Sequence, residues 1–183
     1  MPRRIGQRTD LPLVETGVIQ AHKLGEYFKN KSVKFDLALS SNLLRTKTTA
    51  EIILSYNSTN PELNFDDLFT EIDHGIDEGK TDREIILRIG SEALINWETK
   101  AIEPKGWFVN KDSRVRGWIK LLEDIRHLND VLIVTSNGAA RIALIAFDLL
   151  NKEDNIKLKT GAIGILNVDN KNKIKVVEWG VQP

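Results

Sequence analysis

Three short stretches carry side chains that could handle an anion or a proton. "SSNLLRTKTTA" (40–50) sets Arg45 just beyond an apolar run, and "TSNGAAR" (135–141) sets Asn137, Gly138 and Arg141 where one apolar run ends and another begins. "EIDHG" (71–75) gathers Glu71, Asp73 and His74. A buried strand that breaks at a glycine and opens a helix presents free backbone N–H groups, which attract anions. A guanidinium adds donors in a fork, so Arg45 and Arg141 beside such a turn suit a dianionic phosphate. The plainer alternative is that Arg45 is a solvated helix residue and Ser136-Asn137-Gly138 an ordinary N-cap with a tight turn. A carboxylate–histidine group such as "EIDHG" can also bind metal, but its spacing is not an established ligand pattern, so no metal and no cofactor are expected. The other two histidines read as surface residues: His22 lies in a helical stretch, and His127 ends one at "RHLND", where a cation suits the helix dipole.

The elements that must position these residues alternate in type. "DLPLVETGVIQAHKLGEYFKN" begins with a Pro turn and then spaces Val18, Ile19, Leu24, Tyr27 and Phe28 as a helix, with Glu15 near its start. "FDLALSS" reads as a strand, "NLLRTKTTAEIILSY" as a helix, and "ELNFDDLF" as a further short strand. "TDREIILRIG" and "SEALINWETK" are helical with a break at Gly90, "EPKGWFVNK" is a turn-rich loop, and "SRVRGWIKLLEDIRHL" is an amphipathic helix. "VLIV" is a buried strand, "AARIALIAFDLL" a helix, and "GAIGILNV" with "KIKVVEW" form two strands joined by a turn at "DNKN". This alternation predicts an α/β fold with a mainly parallel sheet covered by helices on both faces. Its ligands bind beyond the carboxyl ends of the strands, where the Arg45 and Asn137 loops lie.

Bulk properties bound the function. With 183 residues and 41% hydrophobic content, a single domain over 1–183 is expected. Equal numbers of basic and acidic residues, 26 each, argue against nucleic acid or an anionic membrane as partner. The absence of cysteine excludes disulfide and thiolate chemistry. No apolar core near the N-terminus and no run of roughly 18 apolar residues lead to the expectation of a soluble, cytoplasmic protein.

Taken in order, "RTDLPLVETGVIQA", "DLALSSNLLRTKTTA", "LFTEIDHGIDEG" and "VLIVTSNGAAR" resemble successive signatures of the histidine phosphatase superfamily, in its phosphoglycerate mutase-like branch, and "GAIGILNV…VVEW" is similar to that fold's closing strands. The resemblance implies a three-layer sandwich and metal-free hydrolysis of a phosphate monoester through a phosphohistidine. Arg45 matches the family's second arginine. Glu71 matches the acid that protonates the leaving oxygen, a role that needs a carboxyl whose pKa is lifted by burial or by the phosphate. Gly6 and Gln7 match a Gln-Gly substrate loop with the order reversed. His74 lies in a loop that borders the family's pocket, so a ligand contact is expected of it, not a nucleophilic role. The modest insert after Glu71 favours a phosphatase over a mutase, acting on a phosphorylated small molecule or on phosphate.

Two departures qualify the resemblance. The family's second histidine belongs to a Ser-His-Gly turn, which here reads Ser136-Asn137-Gly138. An amide at Asn137 can donate a hydrogen bond to phosphate but carries no positive charge. The 183 residues also hold no Arg-His-Gly motif, the family's nucleophile and its partner arginine at the end of a first strand. The expectation is therefore either a phosphatase shortened at its start or a pseudophosphatase that binds phospho-ligands or partners without turning them over. An absent first strand would leave backbone groups unpaired, predicting a marginal fold or a homodimer across the gap.

Overall fold

A computed structural model describes residues 1–59, 61–150, 156–169, 171 and 173–183. Three strands, β1 (Leu37–Ser40), β2 (Leu63–Phe65) and β3 (Val131–Val134), form a parallel sheet in the order β2-β1-β3. The register pairs Ser40 with Val134. The loops that follow these strands, which lead to Arg45 and Asn137, therefore leave the sheet along one edge.

Among the described residues six helices accompany the sheet: α1 (Glu15–Asn30), α2 (Leu44–Ser55), α3 (Asp82–Ile89), α4 (Ser91–Lys100), α5 (Lys111–Ile125) and α6 (Asn137–Ala146). β1 and β3 pack on both faces because alternate side chains serve opposite cores. Ala38, Leu132 and Val134 pack with Leu24 of α1 and with Ala50, Ile53 and Leu54 of α2. Leu37, Leu39, Val131 and Ile133 turn the other way, toward Phe69, Trp97, Trp118 and Ile142. The expected sheet flanked by helices is thus what these residues build.

Local sequence explains the helix ends that matter for the site. Thr81 and Glu84 form a capping box at the start of α3, and Gly90, with φ of +83°, ends α3 and opens α4 without a loop. At the start of α6, Ser136 occupies the N-cap position and makes no side-chain cap bond. Its first free N–H groups are left for another partner.

The last strands, β4 (Ile163–Val168) and β5 (Ile174–Val181), pair antiparallel as a separate hairpin. Leu166, Ile174, Val176 and Trp179 pack it against Leu144 and Leu149 at the end of α6. Within the expected turn over 169–172, residues 170 and 172 lie outside the described residues; the Asp169 carboxylate accepts from the N–H groups of Lys171 and Lys173. Among the described strands, β3 pairs only with β1, so its other edge carries no strand. Among the described residues no helix is long and apolar enough to cross a membrane.

Candidate active site

The open end of α6 is capped by Glu71. Its Oε1 accepts from the Gly138 N–H at 3.0 Å and from its own neighbour Ile72 N–H at 2.8 Å. A carboxylate at a helix N-terminus is favourable, because the dipole and the orphan N–H groups both attract negative charge. The loop that carries Glu71 is fixed from two sides. Thr135, at the end of β3, donates to Phe69 O at 2.7 Å, and Arg114 of α5 donates to Leu68 O at 3.1 Å and Thr70 O at 2.7 Å.

Around this carboxylate stand three partly or fully buried arginines. Burial lowers the pKa of each of Arg45, Arg114 and Arg141, and for each the strongest opposing influence is the charge of Glu71. Arg45 gives its guanidinium to the carbonyls of Thr9 and Gly6, at 2.9 and 3.0 Å. Arg141 is fully buried, its three nitrogens have no hydrogen-bond partner, and its guanidinium lies 4.7 Å from the centre of the Trp97 ring. Burial brings its pKa down to about 10. Glu71 is the carboxylate these three guanidinia share; Asp10 and Glu78 also face Arg45, Asp67 faces Arg114, and Glu98 faces Arg141.

A cavity of about 140 Å³ opens here, lined by Arg4, Glu71, His74, Trp97, Asn137 and Gly138 among others. It has room for several waters or one oxyanion. Asn137 uses Oδ1 to accept from Leu158 N–H at 2.9 Å, which leaves Nδ2 as its donor. His74 is buried beside Trp107, with ring centres 4.5 Å apart and edge to face. Burial lowers its pKa most, the charges of Glu71 and Glu78 oppose this, and Arg4 reinforces it. Trp107 is itself held by Asp77, which accepts from its Nε1 at 2.8 Å and pairs with Arg88 and Lys80.

The structure therefore brings Glu71, His74, Asn137 and Gly138 to one cavity. Gly6 sits directly behind it, where a Cβ would come within 2.5 Å of Glu78 Oε2 and 2.8 Å of His74 Nδ1. Gln7 is exposed on the far side of that turn, its N–H donating to Ile72 O and its side chain to Asp73. Arg45 does not line the cavity wall; it braces the Gly6–Thr9 turn. Asp73 is taken up by Arg8 and by Gly75 N–H. Among the described residues no cluster of three or more His, Asp or Glu side chains is placed to hold a metal ion. His22 is exposed and bonds Tyr56 OH, and His127 is exposed beyond α5. Sequence reasoning missed Arg4, Glu78 and Arg114; only Glu78, four residues after His74, lay within a stretch already singled out.

A parallel sheet between two helical layers, with a carboxylate and arginines at the strand ends, defines a three-layer α/β protein. The chain belongs to the histidine phosphatase superfamily (branch 1), whose family model matches residues 2–182. It is 28% identical over 181 residues to a 2,3-bisphosphoglycerate-dependent phosphoglycerate mutase of Mesorhizobium japonicum, covering 93% of this chain and 88% of that protein. It is 41% identical over 138 residues to the uncharacterized phosphatase PhoE of Bacillus subtilis, covering 75% of this chain and 65% of that protein. The fold matches that of phosphoglycerate mutase from Bacillus anthracis with a TM-score of 0.79 at 22% identity, over 97% of this chain and 85% of the other. It also matches a mycobacterial glucosyl-3-phosphoglycerate phosphatase in complex with inorganic phosphate, with a TM-score of 0.77 at 21% identity, over 98% and 92%.

Proposed function

We propose that the cavity takes the phosphoryl group of a phosphorylated small molecule, and that Glu71 is the acid facing the leaving oxygen. The observation that carries this reading is the Glu71 carboxylate seated on the open end of α6 while Arg45, Arg114 and Arg141 respond to its charge. An oxyanion entering beside it meets the same N–H groups and lies near the same guanidinia. Its negative charge favours the acid form of a neighbouring carboxyl, and that form can hand a proton to the leaving oxygen as a water oxygen forms the new bond to phosphorus. Gly6, Asn137, Gly138 and His74 surround the phosphoryl group, and Arg45 and Gln7 act from the Gly6–Thr9 turn. Asn137 cannot supply positive charge to the transition state, and losing one such stabilising group costs roughly a hundredfold in rate.

A second reading is favoured by that same residue: a phospho-ligand binder whose turnover is lost. Two measurements on the 183-residue chain separate the readings. Inorganic phosphate at about 100 times its Kd stabilises either one by about 2.7 kcal/mol. Hydrolysis of a generic phosphate monoester that Glu71→Ala abolishes supports the hydrolase; stabilisation without hydrolysis supports the binder. No stabilisation by phosphate or vanadate refutes both.

A further inference from the structure

His74 and Glu78 face each other inside the wall of the cavity in an arrangement that the ligand-free protein leaves incomplete. Nδ1 of His74 lies 3.5 Å from Glu78 Oε2, and both atoms are buried without a hydrogen-bond partner. Buried polar atoms without partners are rare and mark places where something is unfinished. The other oxygen of Glu78 is fixed by the Gly6 N–H at 2.7 Å, so the carboxylate is held in place. Gly6 is the residue that permits this approach, since a Cβ there would strike Glu78, Ile72 O and His74 together. The ring plane is set by the Trp107 edge contact, and Trp107 is anchored by Asp77. Of the two ring nitrogens only Nδ1 is both buried and unpartnered, so Nε2 is the nitrogen with access to the cavity that His74 lines.

We propose that His74 and Glu78 form an oxyanion-binding dyad in which Glu78 holds Nδ1–H and Nε2–H donates to an oxygen of the bound phosphoryl group. Resting on the phosphoryl-binding reading above, this assigns to His74 the imidazolium that Asn137, across the same cavity, does not provide. Glu78 accepts only, so the proton on Nδ1 is fixed by its partner. In the empty cavity the charged groups facing the ring are Glu71, Glu78 and Arg4, and burial outweighs the two carboxylates to favour the neutral ring. A dianion at Nε2 adds attraction for the second proton. Binding is therefore accompanied by proton uptake, and affinity falls as pH rises above the pKa of the free ring, by up to tenfold per pH unit.

The test uses sulfate, which stays dianionic across the range, titrated calorimetrically into the full chain between pH 5.5 and 8.5 in buffers of different ionisation enthalpy. The expected result is close to one proton taken up per sulfate at the upper end. In His74→Gln that uptake is abolished, with at least tenfold weaker binding at pH 5.5. Glu78→Gln, which leaves the imidazole but removes the negative charge facing it, shifts the onset of tight binding to lower pH. Because the chain has three histidines, the ¹⁵N signals of the unmutated protein give an independent readout: on sulfate addition His74 changes from the neutral to the doubly protonated form. Sulfate binding without proton uptake, or uptake that persists in His74→Gln, overturns the dyad while leaving the phosphoryl site standing. Failure of both sulfate and phosphate to bind at any pH overturns the two together.

Discussion

Arg141 offers the most demanding check on how this site is charged. Its guanidinium is fully buried, none of its three nitrogens has a hydrogen-bond partner, and burial brings its pKa down to about 10. That fall below the ordinary guanidinium value corresponds to about 3 kcal/mol of destabilisation of the charged form. The sign follows from linkage. A base whose folded pKa lies below its unfolded one weakens the fold at every pH below the folded value, and the loss fades only as pH rises through the interval between the two. Replacing Arg141 by Met, an unbranched apolar side chain, removes that penalty. It also removes the contact over the Trp97 ring, worth about 1–2 kcal/mol when desolvated.

The net expectation for Arg141→Met is a ligand-free protein more stable by about 1–2 kcal/mol, constant between pH 6 and 9. In a chain of this size that raises Tm by about 2–8 °C. In inorganic phosphate the order changes, because the wild-type guanidinium then has an anion to answer and the variant does not; the phosphate-induced rise in Tm is smaller in the variant. Differential scanning calorimetry with and without phosphate reads both effects. A ligand-free Arg141→Met protein less stable than wild type by more than about 1 kcal/mol would refute the reasoning.

Other residues give simpler expectations. Asp77→Asn leaves Arg88 without its carboxylate partner and one accepting oxygen where two now serve Arg88 and Trp107, and it lowers stability by about 3 kcal/mol in urea unfolding. The Asp77 carboxyl is buried, but its bonds from Arg88 and Trp107 hold its pKa below the usual carboxylate value. Its contribution is complete above about pH 4 and is lost as pH falls through the folded pKa, so the variant shows a shallower acid limb. Gly138→Ala places a Cβ against Glu71 Oε1 and the Ile72 side chain; it costs about 1–3 kcal/mol and removes most of the phosphate-induced rise in Tm. Thr81→Ala breaks the capping box of α3, costs about 1 kcal/mol, and leaves the phosphate response unchanged, which makes it a control for stability alone.

Much of the fold was legible because it rests on periodicities that a linear sequence displays. The break at Gly90 between α3 and α4, and the passage from "VLIV" through Asn137 and Gly138 into α6, are local events governed by backbone conformation and apolar spacing. The candidate site was legible where one loop holds its residues, as with Glu71 and His74. Arg114 was not, because its role is to donate across 44 residues to Thr70 O, and nothing in an amphipathic helix marks which exposed-looking arginine will turn inward. Nor could the sequence show that Arg45 braces the Gly6–Thr9 turn through backbone carbonyls, or that the expected β4–β5 hairpin stands apart from the parallel sheet. Both depend on how distant elements dock.

The central claim, an oxyanion site between the start of α6 and the Glu71 loop, is tested most directly by a crystal structure of the chain soaked with vanadate. The anion is expected in the cavity, within hydrogen-bond distance of Asn137 Nδ2 and His74 Nε2, with the Glu71 carboxyl beside it. A cavity holding only water at saturating vanadate, or vanadate bound elsewhere, would contradict it.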